Sequence, residues 1–295
     1  MDGILLIDKP KGPTSFDVVR KVKKATRMRK VGHAGTLDPL ASGLLVVCIG
    51  QGTKLVPYLM EGRKRYLARV ALGAETETDD SEGEVTKRAP VPLLNREQLE
   101  QIIPRFLGKI SQIPPKYSAL KQNGEALHRK ARRGDAVEVS AREVEINGIE
   151  ILQVDDQVFE IDVLCHKGTY IRALARDMAR ALGTCGHLSS LRRTESSGFA
   201  VENALSLEAL DKESVHEKKL LSLAEAIPSL PKVCPDRDQE LSIGHGRAIE
   251  WPDAAKLKPG EHVAVVTKEQ TLLAIAKFSD NFLQPIRVFA ASSID

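Results

Sequence analysis

Prolines at 228, 231 and 235 divide the sequence. Each removes a backbone donor and fixes φ, so no helix or central strand runs through Ile227-Pro228-Ser229-Leu230-Pro231 and on to Pro235, and the spacing predicts a boundary near 230. Two units follow: a large one over 1–230 and a small one over 231–295. In the small unit, His262 to Thr267, Thr271 to Phe278 and Ile286 to Ala290 read as β-branched strands separated by Pro-Gly and polar turns. So few residues fit only a compact barrel or small sandwich.

The large unit mixes strand and helix signals. Gly3 to Asp8 is a short apolar strand, and Lys9-Pro10-Lys11-Gly12-Pro13 makes a rigid turn into a helix capped by Thr14 or Ser15, with Asp17 in its first turn. Phe16, Val19, Val22 and Ala25 recur at helical spacing and predict its buried face. Further strands are predicted at 44–49, 65–72, 144–153 and 158–165. A helix starts near Arg96, carried by Leu99, Ile102, Ile103 and Phe106, and Pro104 should interrupt it. From Tyr170, residues Ile171, Leu174, Ala175, Met178 and Leu182 hold helical spacing, with Thr169 as cap and Gly183 as stop.

Composition excludes several classes. At 295 residues and 42% hydrophobic content the chain can bury a full core. No apolar run reaches the roughly 18 residues that span a bilayer, the longest being Leu44 to Ile49, and Asp2 stands where a secretory signal would be basic, so the cytoplasm is expected. Cysteines at 48, 165, 185 and 234 form no CxxC pair, which indicates neither a zinc cage nor a disulfide framework; Cys165 and His166 read as strand residues, not as ligands. The net charge of +3 is modest but unevenly spread. Basic residues crowd Arg20 to Lys30 and again His128 to Arg133, and either block suits RNA phosphates or a solvated helix face. With aromatics at 4%, base stacking falls to few positions, and Tyr66, Tyr117 and Tyr170 are the candidates.

The segment with most chemical content is Gly32-His33-Ala34-Gly35-Thr36-Leu37-Asp38-Pro39-Leu40-Ala41-Ser42-Gly43. Its glycines allow positive φ and close approach to a ligand, and Pro39 biases Asp38 toward an extended conformation. The carboxylate therefore sits on a constrained loop. The loop lacks the Gly-Lys-Ser/Thr ending of a nucleotide-binding P-loop, and an Asp-Pro step by itself is more often an ordinary turn.

That segment resembles the signature of the bacterial tRNA pseudouridine-55 synthase family. Gly3 to Ser15, Lys64-Arg65-Tyr66, Thr76 to Asp80, Gln112 to Lys121, Lys167 to Arg172 and Leu191-Arg192-Arg193 resemble it in the same order, over about residues 1–200. The resemblance implies an α+β fold: a mixed, largely antiparallel central sheet with flanking helices. The tail is similar to a small β module called PUA, on Leu272 to Ala276 and Pro285 to Phe289.

The implied activity is isomerisation of one uridine in the T arm of tRNA, with no cofactor, no metal and no obligatory protein partner. Asp38 is then the essential carboxylate, attacking C1′ or removing the C2′ proton. A nearby cation favours the charged form of such a group, and Arg172 is the implied partner. The target base must be flipped out, and Tyr66 is the implied stacking platform, with its hydroxyl a conceivable proton acceptor. Tyr170 and Leu191 line the pocket, Asp80 contacts RNA or base, and His33 stacks on or replaces a displaced nucleotide. Each also reads blandly, Tyr170 and Leu191 as core and Asp80 as part of a solvated acidic run. His128 stands where the family often has tyrosine, which places a stacking role there in doubt. An N-glycosidic hydrolase, a non-catalytic RNA-binding protein and a guide-RNA-dependent relative remain the alternatives. The hydrolase is disfavoured because Asp38 has no sequence-local carboxylate partner.

Overall fold

The computed structural model describes residues 1–118, 121–122, 125–126, 133, 139–210, 220–251 and 257–289. His128 and the rest of its basic block through Arg132 lie outside the described residues.

The strands of the large unit are β1 (Gly3–Lys9), β2 (Val31–His33), β3 (Ser42–Ile49), β4 (Lys64–Leu72), β5 (Ala74–Thr76), β6 (Val85–Arg88), β7 (Gly108–Gln112), β8 (Lys121–Gln122), β9 (Glu125–Ala126), β10 (Arg142–Asp155), β11 (Val158–Cys165), β12 (Gly186–Ser196), β13 (Phe199–Ala200), β14 (Leu205–Ser206) and β15 (Leu220–Leu221). Its helices are α1 (Ser15–Thr26), α2 (Val56–Glu61), α3 (Arg96–Ile102) and α4 (Ile171–Ala181). The central sheet runs β14-β1-β3-β12-β4-β11-β10-β7, with β2, β13 and β15 pairing at its side. Only β1 with β14 and β3 with β12 are parallel; the other pairs of this sheet are antiparallel. The expected mixed, largely antiparallel α+β architecture is what the chain adopts.

β1 and β3 are apolar at nearly every position because both faces of the sheet are covered there. On one face Leu5, Ile7, Leu45, Val47 and Ile49 meet Val18 and Val22 of α1, Leu99 of α3, and Leu174 and Met178 of α4. On the other, Ile4, Leu6, Leu44, Val46 and Cys48 meet Leu59 of α2 and, from the tail, Ala264, Val266, Leu272, Ile275 and Phe289. The tail forms its own five-stranded sheet, β16 (Lys232–Val233), β18 (His262–Val266), β19 (Leu272–Ser279), β20 (Phe282–Val288) and β17 (Ile249–Glu250) in that order, with α5 (Arg237–Gly244) beside it. This is a PUA-like β module. A second apolar cluster, including Ile243, Val263, Val265, Phe278 and Leu283, belongs to it alone.

Local details resolve one open choice of the sequence reading and depart from it in two places. Thr14 caps α1 through a capping box with Asp17, whereas Ser15 is buried and serves another purpose. Val18 takes the core position, and Phe16 is 63% exposed, because the buried stripe of α1 runs 15, 18, 19, 22 and Phe16 falls off it. Thr169 does not cap α4: its hydroxyl donates to the His166 carbonyl, and Tyr170 occupies the N-cap with no side-chain bond. Pro104 does end α3, where the chain passes into a 3₁₀ turn over Ile103–Phe106. Gly183, at φ +81, stops α4.

Candidate active site

The loop between β2 and β3 is held at several points. Ser15 Oγ donates to the Leu37 carbonyl at 3.0 Å and accepts from the Leu37 amide at 2.8 Å. The Gly12 amide donates to Pro39 O at 2.8 Å, and the Ala41 amide to Asp38 O at 3.0 Å, which closes a turn around the Asp-Pro step. Arg193 supplies the remaining anchors. Its buried guanidinium donates to Leu44 O at 2.7 Å, Gly35 O at 3.1 Å and Thr36 O at 3.4 Å. Gly43 faces Arg193 across the β3 and β12 pairing at φ +100, where a side chain would run into the Arg193 backbone.

Asp38 is thereby presented to α4. Arg172, in the first turn of that helix, places Nε 3.0 Å from Asp38 Oδ2. The Arg172 side chain is 7% exposed and that of Asp38 39%, so the cation is buried and the carboxylate reaches the opening. The rest of the Arg172 fork is fully used: Nη1 lies 3.4 Å from Asp80 Oδ2 and donates to Thr78 O at 2.8 Å, and Nη2 donates to Tyr117 O at 2.9 Å. Asp80 is itself buried and accepts from Thr78 Oγ1 at 2.5 Å and from the Glu82 amide at 3.0 Å. The acidic run is thus no solvated turn at Asp80. Arg172, Arg176 and Arg180 follow one another at i, i+4 on α4, and each takes an acid of the 75–80 segment: Asp80, Asp79 and Glu75.

A cleft of about 250 Å³ opens over the Asp38 and Arg172 pair. Tyr66, Tyr170 and Leu191, all expected at the site, line it, together with Lys64 and Arg193. Gln112, buried on β7, fixes Tyr170 by donating to its carbonyl at 3.1 Å and accepting from its amide at 2.9 Å. Burial pushes the Tyr66 phenol above its ordinary range despite the opposing Arg193 charge, and burial does the same to Tyr170 against a Ser118 hydrogen bond. Both rings stay neutral at pH 7. Lys64 is pulled down to about 8 by burial, with Arg193 adding to the effect; its Nζ donates to the Met60 and Gly62 carbonyls at 2.5 Å each. Lys9, below the loop, is also lowered by burial to about 8, against the attraction of Asp38.

His33 does not line the cleft. It lies on β2, paired opposite Val47, with Nδ1 buried and without a hydrogen-bond partner; burial first and Arg193 second lower its basicity. Tyr117 is likewise outside the cleft lining and donates its hydroxyl to Glu77 at 2.5 Å. Cys165 is buried and His166 sits at the cleft wall. Among the described residues no group of three or more His, Cys, Asp and Glu gathers to hold a metal ion, and no helix is long and apolar enough to cross a membrane. Arg193, Gln112 and Lys64 are site residues that the sequence reading left without a role, and Ser15, read there as a possible helix cap, holds the loop instead; all four fall within segments it singled out.

Residues 23–171 match the N-terminal domain of the TruB family pseudouridylate synthases, and residues 172–229 match a tRNA pseudouridylate synthase B C-terminal domain. The protein named tRNA pseudouridine synthase B of Francisella philomiragia is 45% identical over 76% of this chain and 74% of its own length. That of Caulobacter vibrioides is 38% identical over 98% of this chain and 96% of its own. Among solved structures, a Cbf5-Nop10-Gar1 complex superposes with a TM-score of 0.76 at 26% identity, covering 98% of this chain and 85% of that one. Sequence match, fold and a carboxylate held by a buried arginine under a lined cleft agree: the chain belongs to the TruB family of pseudouridylate synthases and is an isomerase.

Proposed function

We propose that this enzyme converts uridine 55 in the T arm of tRNA to pseudouridine, with Asp38 as its essential carboxylate. The observation that carries the reading is the pairing of Arg172 with Asp38, 3.0 Å apart, at the base of a cleft walled by Tyr66, Tyr170 and Leu191. The relatives named tRNA pseudouridine synthase B supply the substrate class. The reaction breaks N1–C1′, turns the uracil and forms C5–C1′, so no redox change or net hydrolysis occurs. Asp38 acts on the ribose as nucleophile at C1′ or base at C2′, and both steps use its charged form. The flipped uracil stacks on Tyr66, with Leu191 and Tyr170 closing off water. Lys64 and Arg193 set a positive floor for a polyanion.

Hydrolysis by paired carboxylates is the weaker reading. Asp80 is the second acid near Asp38, and its oxygens are taken up by Thr78, the Glu82 amide and Arg172. We propose further that residues from about 231 add RNA contacts and no catalytic group, and that no protein partner is required.

The test is purified chain alone with whole tRNA and with a T-arm stem-loop, followed by pseudouridine mapping. Conversion at position 55 of both is expected. Asp38→Asn should abolish turnover and leave RNA affinity within about tenfold, because phosphate contacts dominate binding. Turnover by that variant, or release of free uracil, would remove the assignment.

A further inference from the structure

Helix α1 carries an aromatic side chain that the fold does not use. Phe16 is 63% exposed in the first turn, one residue after Ser15, whose hydroxyl holds Leu37 beside Asp38. Burying a phenylalanine ring is worth about 1.5–3 kcal/mol, so leaving one in water beside an active-site loop forgoes a stabilising option. Helical spacing continues from it: Arg20, Lys24 and Arg27 follow at i+4, i+8 and i+11, and all are exposed. Lys21, on another face, is held by the Leu207 carbonyl and is not part of this stripe. Arg20 pairs with Asp17, while Lys24 and Arg27 carry no ion pair among the described residues. The stripe thus has one aromatic at the end nearest Asp38 and cations leading away.

Position relative to the cleft gives the stripe an occupant. α1 and α4 pack on the same face of the central sheet, in one apolar cluster that also contains Leu37, Leu191 and, at its edge, Tyr66. The loop bearing Asp38 lies between α1 and the cleft. An RNA strand that delivers a uridine to Asp38 has its neighbouring nucleotides outside the pocket, and a strand passing over the loop meets α1.

We infer that Phe16 stacks on an unpaired base adjoining the flipped uridine, and that Lys24 and Arg27 take the phosphates of the strand leading from it. The inference rests on the proposed RNA substrate and adds to it a second stacking site outside the catalytic cleft. A ring offers any base a π-face, and a cation row tracks the backbone without reading sequence, so the site is tolerant of sequence at the adjoining position.

The experiment uses the full chain and a T-arm stem-loop with 2-aminopurine at the unpaired position beside the target uridine. Phe16→Leu keeps an apolar side chain without a ring; being exposed, the site should leave the melting temperature unchanged. KM for the RNA should rise about fivefold or more and the quenching of 2-aminopurine on binding should weaken, while Phe16→Trp keeps both near wild type. Phe16→Leu with wild-type KM and wild-type quenching would overturn the stacking, and so would equal losses in the Leu and Trp variants. Lys24→Gln with Arg27→Asn, which suits the left-handed backbone at φ +57, should reduce the slope of log affinity against log salt by about 1.4. An unchanged slope would remove the cations from the RNA path. Wild-type protein that makes no pseudouridine in this RNA would sink the substrate reading and this inference with it, whereas normal wild-type turnover with an indifferent Phe16→Leu would sink the inference alone.

Discussion

Arg172 shows how one side chain can hold a fold together and, in the proposed reaction, orient the working carboxylate. Its fork serves two carboxylates and two backbone carbonyls, of which Asp38 alone reaches the opening. Lysine keeps the charge but offers one nitrogen, so Arg172→Lys should leave buried acceptors at Asp80, Thr78 or Tyr117 unpaired. Each costs about 1–3 kcal/mol, so both kcat and the melting temperature should fall. Wild-type kcat in that variant would reduce Arg172 to a packing role. Lys9 and Lys64 carry a different signature. Their folded-state pKa values of about 8 lie below the ordinary lysine value of 10.5, so between pH 8 and about 10 the unfolded chain binds more protons than the native one. Stability should therefore rise from pH 8 toward 9. The buried thiols Cys48 and Cys165, raised to about 12 and about 11, act oppositely, because the unfolded chain ionises them from about pH 9 upward. Urea unfolding at pH 7.5, 8.5 and 9.0 checks the sign, and Lys64→Met should flatten the rise. That Asp38, Tyr66, Tyr170, Arg172 and Leu191 meet at one cleft was legible because each sits in a motif that resembles a family's. Arg193 was not, because its role is donation to carbonyls of residues 35, 36 and 44, contacts about 150 residues away that leave no local pattern.

Elements were legible where periodicity reports burial. β1 and β3 read as continuous apolar runs and proved to be covered on both faces. The helix over 171–181 showed its apolar stripe plainly, and its arginines at 172, 176 and 180 stand at spacing four, but their acidic partners lie in the segment 75–80, 92 to 105 residues earlier. Phe16 was misassigned because hydrophobicity alone cannot tell a core position from an exposed one adjacent to it on the helical wheel. The β3 and β12 pairing depends on Gly43, one of the loop glycines read as free to take positive φ, although what approaches it is the Arg193 backbone and not a ligand. Gly43, at φ +100, lies against the Arg193 backbone where no Cβ fits, so Gly43→Ala is strained twice over, in conformation and in space. The substitution should displace the strand start that follows Asp38, lowering activity by more than tenfold and costing about 2 kcal/mol or more. Circular dichroism melting alongside turnover measures both, and a fully active, equally stable variant would mean that β12 can move away without consequence.

At the scale of the whole molecule, a separate sheet begins at Lys232, after the prolines, and it adheres closely to the first. Ile227, at the start of the expected linker, and Ala226 before it are buried, and the tail's Ala264, Val266, Leu272, Ile275 and Phe289 complete a core with Ile4, Leu6, Leu44 and Val46. Lys54 adds a bond to the Val288 carbonyl at 2.7 Å and lies over the Phe289 ring. A chain ending at 230 would expose this apolar surface on the back of β1 and β3. It should therefore melt at a lower temperature and bind a hydrophobic dye. The cleft, in contrast, lies with the cluster on the other face of the sheet, and every described residue lining it precedes position 194. Loss of the tail should then raise KM for whole tRNA more than for the T-arm stem-loop. The single-turnover rate at saturating RNA should stay within about threefold, provided the assay is run below the melting temperature of the truncated chain. A folded truncation whose saturated rate collapses would show that the tail shapes the cleft through the sheet. Unchanged affinity for whole tRNA would show that its part is to cover the back of the sheet and not to hold RNA.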